Sequence, residues 1–319
     1  MKLRHIGLLM LATLWSSLVL GQGYPSKPVK IIVPFTAGSA TDILARTYGQ
    51  KLSEMWKQPV AVANHPGAGG TIGAGLVAKA APDGYTLLVH SAAQAYNPSI
   101  YASLPYDTNR DFIDVAALGG QPNVLVVAPS TGIKSMAELI ALAKQKPGQL
   151  NFSSAGVAST SYLSAEIFKQ EANINIVHIP YKGAPEATTA VIRNDAQMYF
   201  APIPATQELS ATGKVRAIAI NSAKRVPQLP EVPTVAETLP KYKYESWFGV
   251  FAPAGTPQPI LTKVSEDIAK VLEMPDVKEK LLAQGSIPAP TTPSEFDAIN
   301  KADTERYGKI LKDAGITPQ

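Results

Sequence analysis

The sequence predicts an α/β protein built on mostly parallel sheets, and three observations carry that expectation. Short apolar strands alternate with helix-patterned segments along the chain. One device occurs twice early on, an apolar strand running into a glycine-bearing loop that opens a helix: VKIIVPFTAGSATDILARTYGQKL, then VAVANHPGAGGTIGAGLVAKAA. Of the 319 residues, about 298 remain once an N-terminal leader is removed, which gives room for a large core and for two domains of ordinary size.

Lys2, Arg4 and His5 precede a mostly apolar run from Ile6 to Leu20, and the small residues Gly21 and Gly23 follow. That is the layout of a secretory signal peptide, here read as residues 1–21. The run is short for a membrane span, and no second hydrophobic stretch of spanning length follows. With no cysteine in the sequence, neither a thiol-linked lipid nor a disulfide is available. The mature chain is therefore expected to be a soluble exported protein.

Val29 to Val33, Val60 to Ala63 and Tyr85 to Ser91 read as strands. Between them Leu44, Tyr48, Leu52 and Met55 recur near helical spacing, which completes a βαβαβ half. A strand from Asn123 to Ala128 then leads through a capping box, Ser135 to Glu138, into a helix around Leu139 to Lys144. The second unit continues with a strand at Leu150 to Ser153, the loop SAGVASTS, a helix through Phe168, a strand at Ile174 to Ile179 and a helix after Tyr181-Lys182-Gly183. Met198 to Ala201 and Val215 to Asn221 read as its last strands, and RVPQLPEVPTVAETLP as a proline-rich loop. Beyond Trp247-Phe248-Gly249-Val250 lie helical segments near Leu261 to Leu272 and Glu295 to Leu311.

Helix starts leave backbone N–H groups unpaired and carry partial positive charge, so two of them aimed at one crevice suit an anion. The formal net charge of +4 falls to about +2 once Lys2 and Arg4 leave with the signal peptide, too little for a nucleic-acid partner, and no basic run carries interleaved aromatics. Gly67, Gly69 and Gly73 resemble a dinucleotide fingerprint, but the next strand ends in Val89, His90 and Ser91 with no acidic residue for a ribose. No G-x-S-x-G elbow marks a serine hydrolase. His65, His90 and His178 show no metal-binding spacing. No enzyme, metal or cofactor is expected.

Six segments in order, YPSKPVKIIVPFTAGSATDILAR, NHPGAGG, APDGYTLL, IPYKGAPEATTAV, LPEVPTVAE and WFGVFAPAGTP, resemble the Bug receptors, the solute-binding proteins of tripartite tricarboxylate transporters. The resemblance implies a two-domain periplasmic receptor of Venus flytrap form, likened to two α/β lobes joined by crossover strands near Asn123 to Val127 and Ser246 to Ala252. It implies residues 24–123 with 246–319 in one domain and 124–245 in the other. It further implies a monomer that binds a small carboxylate between the domains, largely through loop backbone groups, and delivers it to membrane permease subunits. Docking on a sensor kinase instead is the alternative partner.

Candidate contacts follow from both readings. Phe35, Ala37, Gly38 and Ser39 lie in the first loop, with Ser39 or Thr41 as N-cap and Asp42 at the helix start. Gly69, Gly70 and Thr71 stand where the second helix begins, and glycine there lets backbone approach a ligand. A third loop, SAAQAYNPSIY, offers Ser91, Gln94 and Asn97, although Asn97 before Pro98 also suits a turn. Ser154, Gly156, Ser159, Thr160 and Ser161 supply hydroxyls and a further helix start. By family analogy Tyr181, Gly183, Ala201 and Pro202 complete the far wall, with Lys182 more at home in solvent. Family members often carry histidine where Tyr162 stands, a departure that bears on ligand choice because a phenol and an imidazole differ in charge and hydrogen bonding.

Overall fold

The computed structural model describes residues 23–157, 159–244, 246–313 and 315–318; the expected signal peptide lies outside them. The first half contains β1 (Val29–Val33), α1 (Ala40–Trp56), β2 (Val60–Asn64), α2 (Thr71–Ala78), β3 (Thr86–Ser91), α3 (Ala93–Ile100) and β4 (Phe112–Gly119). Then follow β5 (Asn123–Val127), α4 (Met136–Gln145), β6 (Asn151–Ser154), α5 (Thr160–Ala172), β7 (Val177–Pro180), α6 (Ala184–Ile192), β8 (Met198–Pro202), α7 (Ile203–Ala211), β9 (Arg216–Ile220) and the one-turn α8 (Val235–Thr238). The chain closes with β10 (Phe248–Pro253), α9 (Gln258–Glu273), α10 (Pro275–Ala283) and α11 (Pro293–Asp313).

Two five-stranded sheets result, in the orders β2-β1-β3-β10-β4 and β7-β6-β8-β5-β9. The expectation of mostly parallel sheets needs correction: both are evenly mixed. β1 pairs in parallel with β2 and β3, while β10 runs antiparallel to β3 and β4. Likewise β6 is parallel to β7 and β8, and β5 is antiparallel to β8 and β9. The reason lies in connectivity. Each sheet receives one strand that arrives from the other half of the molecule, and that strand enters against the direction of its neighbours.

Local chemistry explains most elements. α1 buries Leu44, Tyr48 and Leu52 on one face and starts at Ser39, whose hydroxyl accepts from the Asp42 N–H at 3.2 Å. At α4 the predicted capping box is half formed. Ser135 accepts from the Glu138 N–H, but the Glu138 carboxylate turns to the N–H of Lys134, one residue further back. A complete box caps α8, where Thr234 and Glu237 satisfy each other's backbone, so the proline-rich stretch read as loop contains a turn of helix.

β4 is absent from the sequence reading. Its residues FIDVAALG are buried almost throughout, so no in-and-out alternation marks them, although Phe112, Ile113 and Val115 favour a strand. SAAQAYNPSIY is likewise mostly helix rather than loop, since α3 accommodates Pro98 and buries Ala93 to Asn97. No polar face betrays a helix that is packed nearly all round. One apolar cluster runs through both halves and includes Tyr96, Phe251, Leu125 and Phe168. α11 lies against α3, β4 and α5 and so ties the C-terminus to both sheets.

Candidate functional site

Strand register brings the candidate loops to two neighbouring edges. In the first sheet Val33 lies beside Asn64, and Ser91 and Gly119 both lie opposite Phe248, so the carboxyl ends of β1 to β4 share one edge. In the second, Ser154 lies beside Pro180, while Asn123 lies opposite Pro202 and Val124 opposite Ile220. Gly120, Gln121 and Pro122 are all that joins β4 to β5, which holds the two edges within about 14 Å there. Ligands of open α/β sheets lie outside such carboxyl ends.

Phe35 is half-buried, Ala37 and Gly38 are exposed, and Ser39 is the N-cap of α1, which leaves Thr41 buried in its first turn. The loop is braced from beneath by Asp42, only 3% exposed. Its carboxylate accepts from the Gly38 N–H at 2.9 Å, from Arg46 Nε at 3.0 Å and from Asn64 Nδ2 at 2.9 Å. Burial alone would raise its pKa, but Arg46, Gly38 and Asn64 outweigh burial and hold it below the usual range. The N–H groups of Gly38 and Ser39 are both spent inside the loop, the latter on Thr36 O. Those of Ala40 and Thr41 are the ones the cap does not use. Asp42 thus shapes the loop and does not present its charge to the gap.

The second loop is held by backbone conformation. Gly67, Ala68, Gly69 and Gly70 all have positive φ, and Gly70 (φ +95°) lies so close to His90 Nε2 that no Cβ would fit. Gly69 is half-buried, while Gly70 and Thr71 are buried. Ser91 is 5% exposed at the end of β3, whereas Gln94 and Asn97 are fully buried on α3. Asn97 Nδ2 donates to Gly69 O at 3.1 Å, and Gln94 Oε1 accepts from Tyr106 Oη at 3.4 Å. The sequence reading placed these two amides at the loop surface; the structure puts them underneath it, because the segment is helical.

On the other edge, Ser154, Gly156, Ser159, Ser161 and Tyr181 form one hydrogen-bonded group. Ser159 caps α5, accepting from the Tyr162 N–H and donating to Gly156 O at 2.7 Å. Ser161 Oγ accepts from the Ala155 N–H, Ser154 Oγ from the Gly156 N–H, and Ser154 O from the Tyr181 N–H. Thr160 Oγ1 instead accepts from Asn123 Nδ2 at the start of β5. Ala201 is buried, Pro202 half-buried, and Gly183 is the N-cap of α6. Ala201 and Pro202 end β8, which lies between β6 of the serine group and the crossing strand β5, and Gly285 packs on the adjacent Ile203 and Pro204. That neighbour from the C-terminal region was not anticipated, since nothing local in the sequence links it to α7.

His178, whose spacing suits no metal site, sits in this group. Its Nε2 lies 2.7 Å from Ser154 Oγ, and its ring lies 4.6 Å from that of Tyr162 and 4.7 Å from that of Phe152. An imidazole therefore reaches the neighbourhood of Tyr162 from β7 instead of from α5. Desolvation, with Lys169 as a lesser cause, lowers the His178 pKa to about 4; burial lowers that of His90 to about 4 as well, against weaker hydrogen bonds from Ser91 and Gly70. Both lie below the unfolded value near 6.5, so the stability they allow is present above pH ~6.5 and is lost as pH falls towards ~4. Stability measured by urea melts should decline across that window, with a smaller slope in His178→Gln. An unchanged slope would remove His178 from that account.

Among the described residues no group of His, Cys, Asp or Glu could hold a metal ion, and no helix is long and apolar enough to cross a membrane. The profile of the family described as "Tripartite tricarboxylate transporter family receptor" matches residues 44–316. BugT of Bordetella pertussis is 35% identical over 295 residues, which covers 92% of this chain and 90% of that protein. A structure from R. palustris with adipate is 35% identical, with a TM-score of 0.84 over 93% of this chain and all of its own. MatC from Rhodopseudomonas palustris with bound malate is 29% identical, with a TM-score of 0.78 over 90% of this chain and all of its own.

Proposed function

Because the chain belongs to the tripartite tricarboxylate transporter receptor family, we propose that it is a periplasmic receptor that takes a small organic carboxylate between its two lobes and presents it to a membrane permease. Its relatives in sequence and structure are solute-binding proteins and not enzymes. One lobe is taken as residues 24–123 with 246–319, the other as 124–245. The receptor works as a monomer and needs no cofactor.

One observation supports the carboxylate reading above others: helix starts α1, α2 and α5, with Ser39, Gly70 and Ser159 at their N-cap positions, stand at two neighbouring sheet edges. Their unused N–H groups suit a ligand with a negative group at each end. Adipate and malate, bound by two structural relatives, have that form. Closing the gap would exclude water and strengthen each hydrogen bond.

A thermal-shift screen of the exported protein against dicarboxylates, tricarboxylates, amino acids and aromatic acids tests this. At a hundredfold excess over its Kd the right acid adds about 2.7 kcal/mol, or a Tm rise of roughly 5 °C for a chain of this size. Ala37→Trp, at an exposed loop position with no internal hydrogen-bonding side chain, should erase the shift without lowering the ligand-free Tm. Shifts produced by sugars or cations while every acid leaves the melt flat would sink the proposal.

A further inference from the structure

The glycine loop before α2 holds a backbone that side chains rarely adopt. Gly67, Ala68, Gly69 and Gly70 take positive φ in succession, at 133°, 44°, 61° and 95°, although Ala68 is not a glycine. Such a run persists only where its surroundings over-determine it. Asn97 and His90 brace it from beneath. Asn97 Nδ2 donates to Gly69 O at 3.1 Å, and the next residue, Gly70, lies directly against His90 Nε2. His90 is fully buried near the end of β3. It also touches the first loop, where the Phe35 ring meets the imidazole edge-on with centroids 5.3 Å apart.

We propose that His90 is a positioning residue for the anion site, an imidazole that fixes the glycine loop so that the start of α2 faces the gap. The assignment deepens the carboxylate reading and rests on it for its purpose, though not for its geometry. Of the two contacts of Nδ1, acceptance from the Ser91 N–H at 2.8 Å is shorter than the approach to Ser91 O at 3.1 Å, so the ring proton belongs on Nε2. Nε2 offers that proton to the Gly70 backbone, a hydrogen bond that favours the charged ring without outweighing burial. The imidazole therefore stays neutral in the ordinary pH range, with an acceptor turned to Ser91 and a donor turned to Gly70. One side chain thus sets both the end of β3 and the beginning of α2, and packs on the loop that opens α1.

The test compares His90→Asn, whose Oδ1 can still accept from the Ser91 N–H but whose amide stops short of Gly70, with His90→Gln, whose Nε2 reaches it. In ¹⁵N-labelled, ligand-free protein the amide resonances of Gly69, Gly70 and Thr71 should move in the first variant and stay in place in the second. Adipate affinity, measured by calorimetry, should fall about tenfold or more in His90→Asn and change by less than about threefold in His90→Gln. A purely structural role would lower Tm in both variants without that split. The tautomer needs no variant: long-range ¹H–¹⁵N spectra of the wild type should show a protonated Nε2 and a bare Nδ1. A proton on Nδ1, loop resonances that ignore His90→Asn, or equal losses of affinity in the two variants would each overturn the assignment. Should adipate fail to bind the wild type, that acid is ruled out as the ligand, while the tautomer and the loop resonances still decide the role of His90.

Discussion

Phe296→Ala should cost about 3–5 kcal/mol of stability. The side chain is fully buried on α11, with its ring 5.1 Å from that of Trp247 and 5.3 Å from that of Phe251. It lies over Gly249 of β10 so closely that any Cβ at that position would meet the ring. Glycine and phenylalanine are thus a matched pair, one leaving the space that the other fills. The cavity left by alanine cannot collapse easily, because β10 is hydrogen-bonded on both sides within its sheet. Urea melts followed by circular dichroism measure the loss. A change under about 1 kcal/mol would mean that α11 does not anchor β10 as described.

Gly119→Ala should cost about 3 kcal/mol, the sum of two terms. The residue has φ of +108°, which disfavours any side chain by about 1–2 kcal/mol. A Cβ there would also meet the carbonyl oxygen of Ile287 and the backbone of Pro288 and Ala289, and crowding of that kind costs about 1–3 kcal/mol. Gly132→Ala separates the terms. That glycine has φ of +73° with open space around it, so the substitution should show the conformational cost alone. Equal losses in the two variants would show that segment 287–289 yields freely. The contact matters to the architecture because Gly119 ends β4 just before the link to the second sheet, and Gly120 and Ile287 exchange hydrogen bonds at 2.7 and 3.0 Å.

Legibility varied with the range of the interactions that decide each element. The α/β alternation, the strand β1, a cap of α1 at Ser39 or Thr41 and the glycine loop before α2 were all readable, because each rests on residues within a turn or two of one another. Ser39 caps because Asp42 lies three residues on. Glu138 bonding Lys134 instead of Ser135 is a miss by one residue in an otherwise sound reading. β4 and α3 escaped for a shared reason: both are buried so completely that they lack the amphipathic contrast from which a strand or helix is read.

The candidate loops could be named from the chain, but not what each residue does in them. Asp42 braces Gly38 because Asn64 and Arg46 converge on it, and Asn64 comes from a different strand. Gln94 and Asn97 lie beneath the second loop instead of on it, since α3 turns them inward. His178 reaches Ser154 and Tyr162 only because β7 pairs beside β6.

The chain's order of residues was enough to establish the α/β class, the family resemblance and the recurrence of helix starts suited to an anion. Folding in three dimensions alone settled the mixed sheets, the two edges at which those starts stand, and the packing of α11 across β10. The division has one physical cause. Caps and periodicity arise from neighbours in sequence, whereas sheet order and polar satisfaction arise between residues such as Trp247 and Asp303, separated by 56 positions, whose meeting no local pattern encodes.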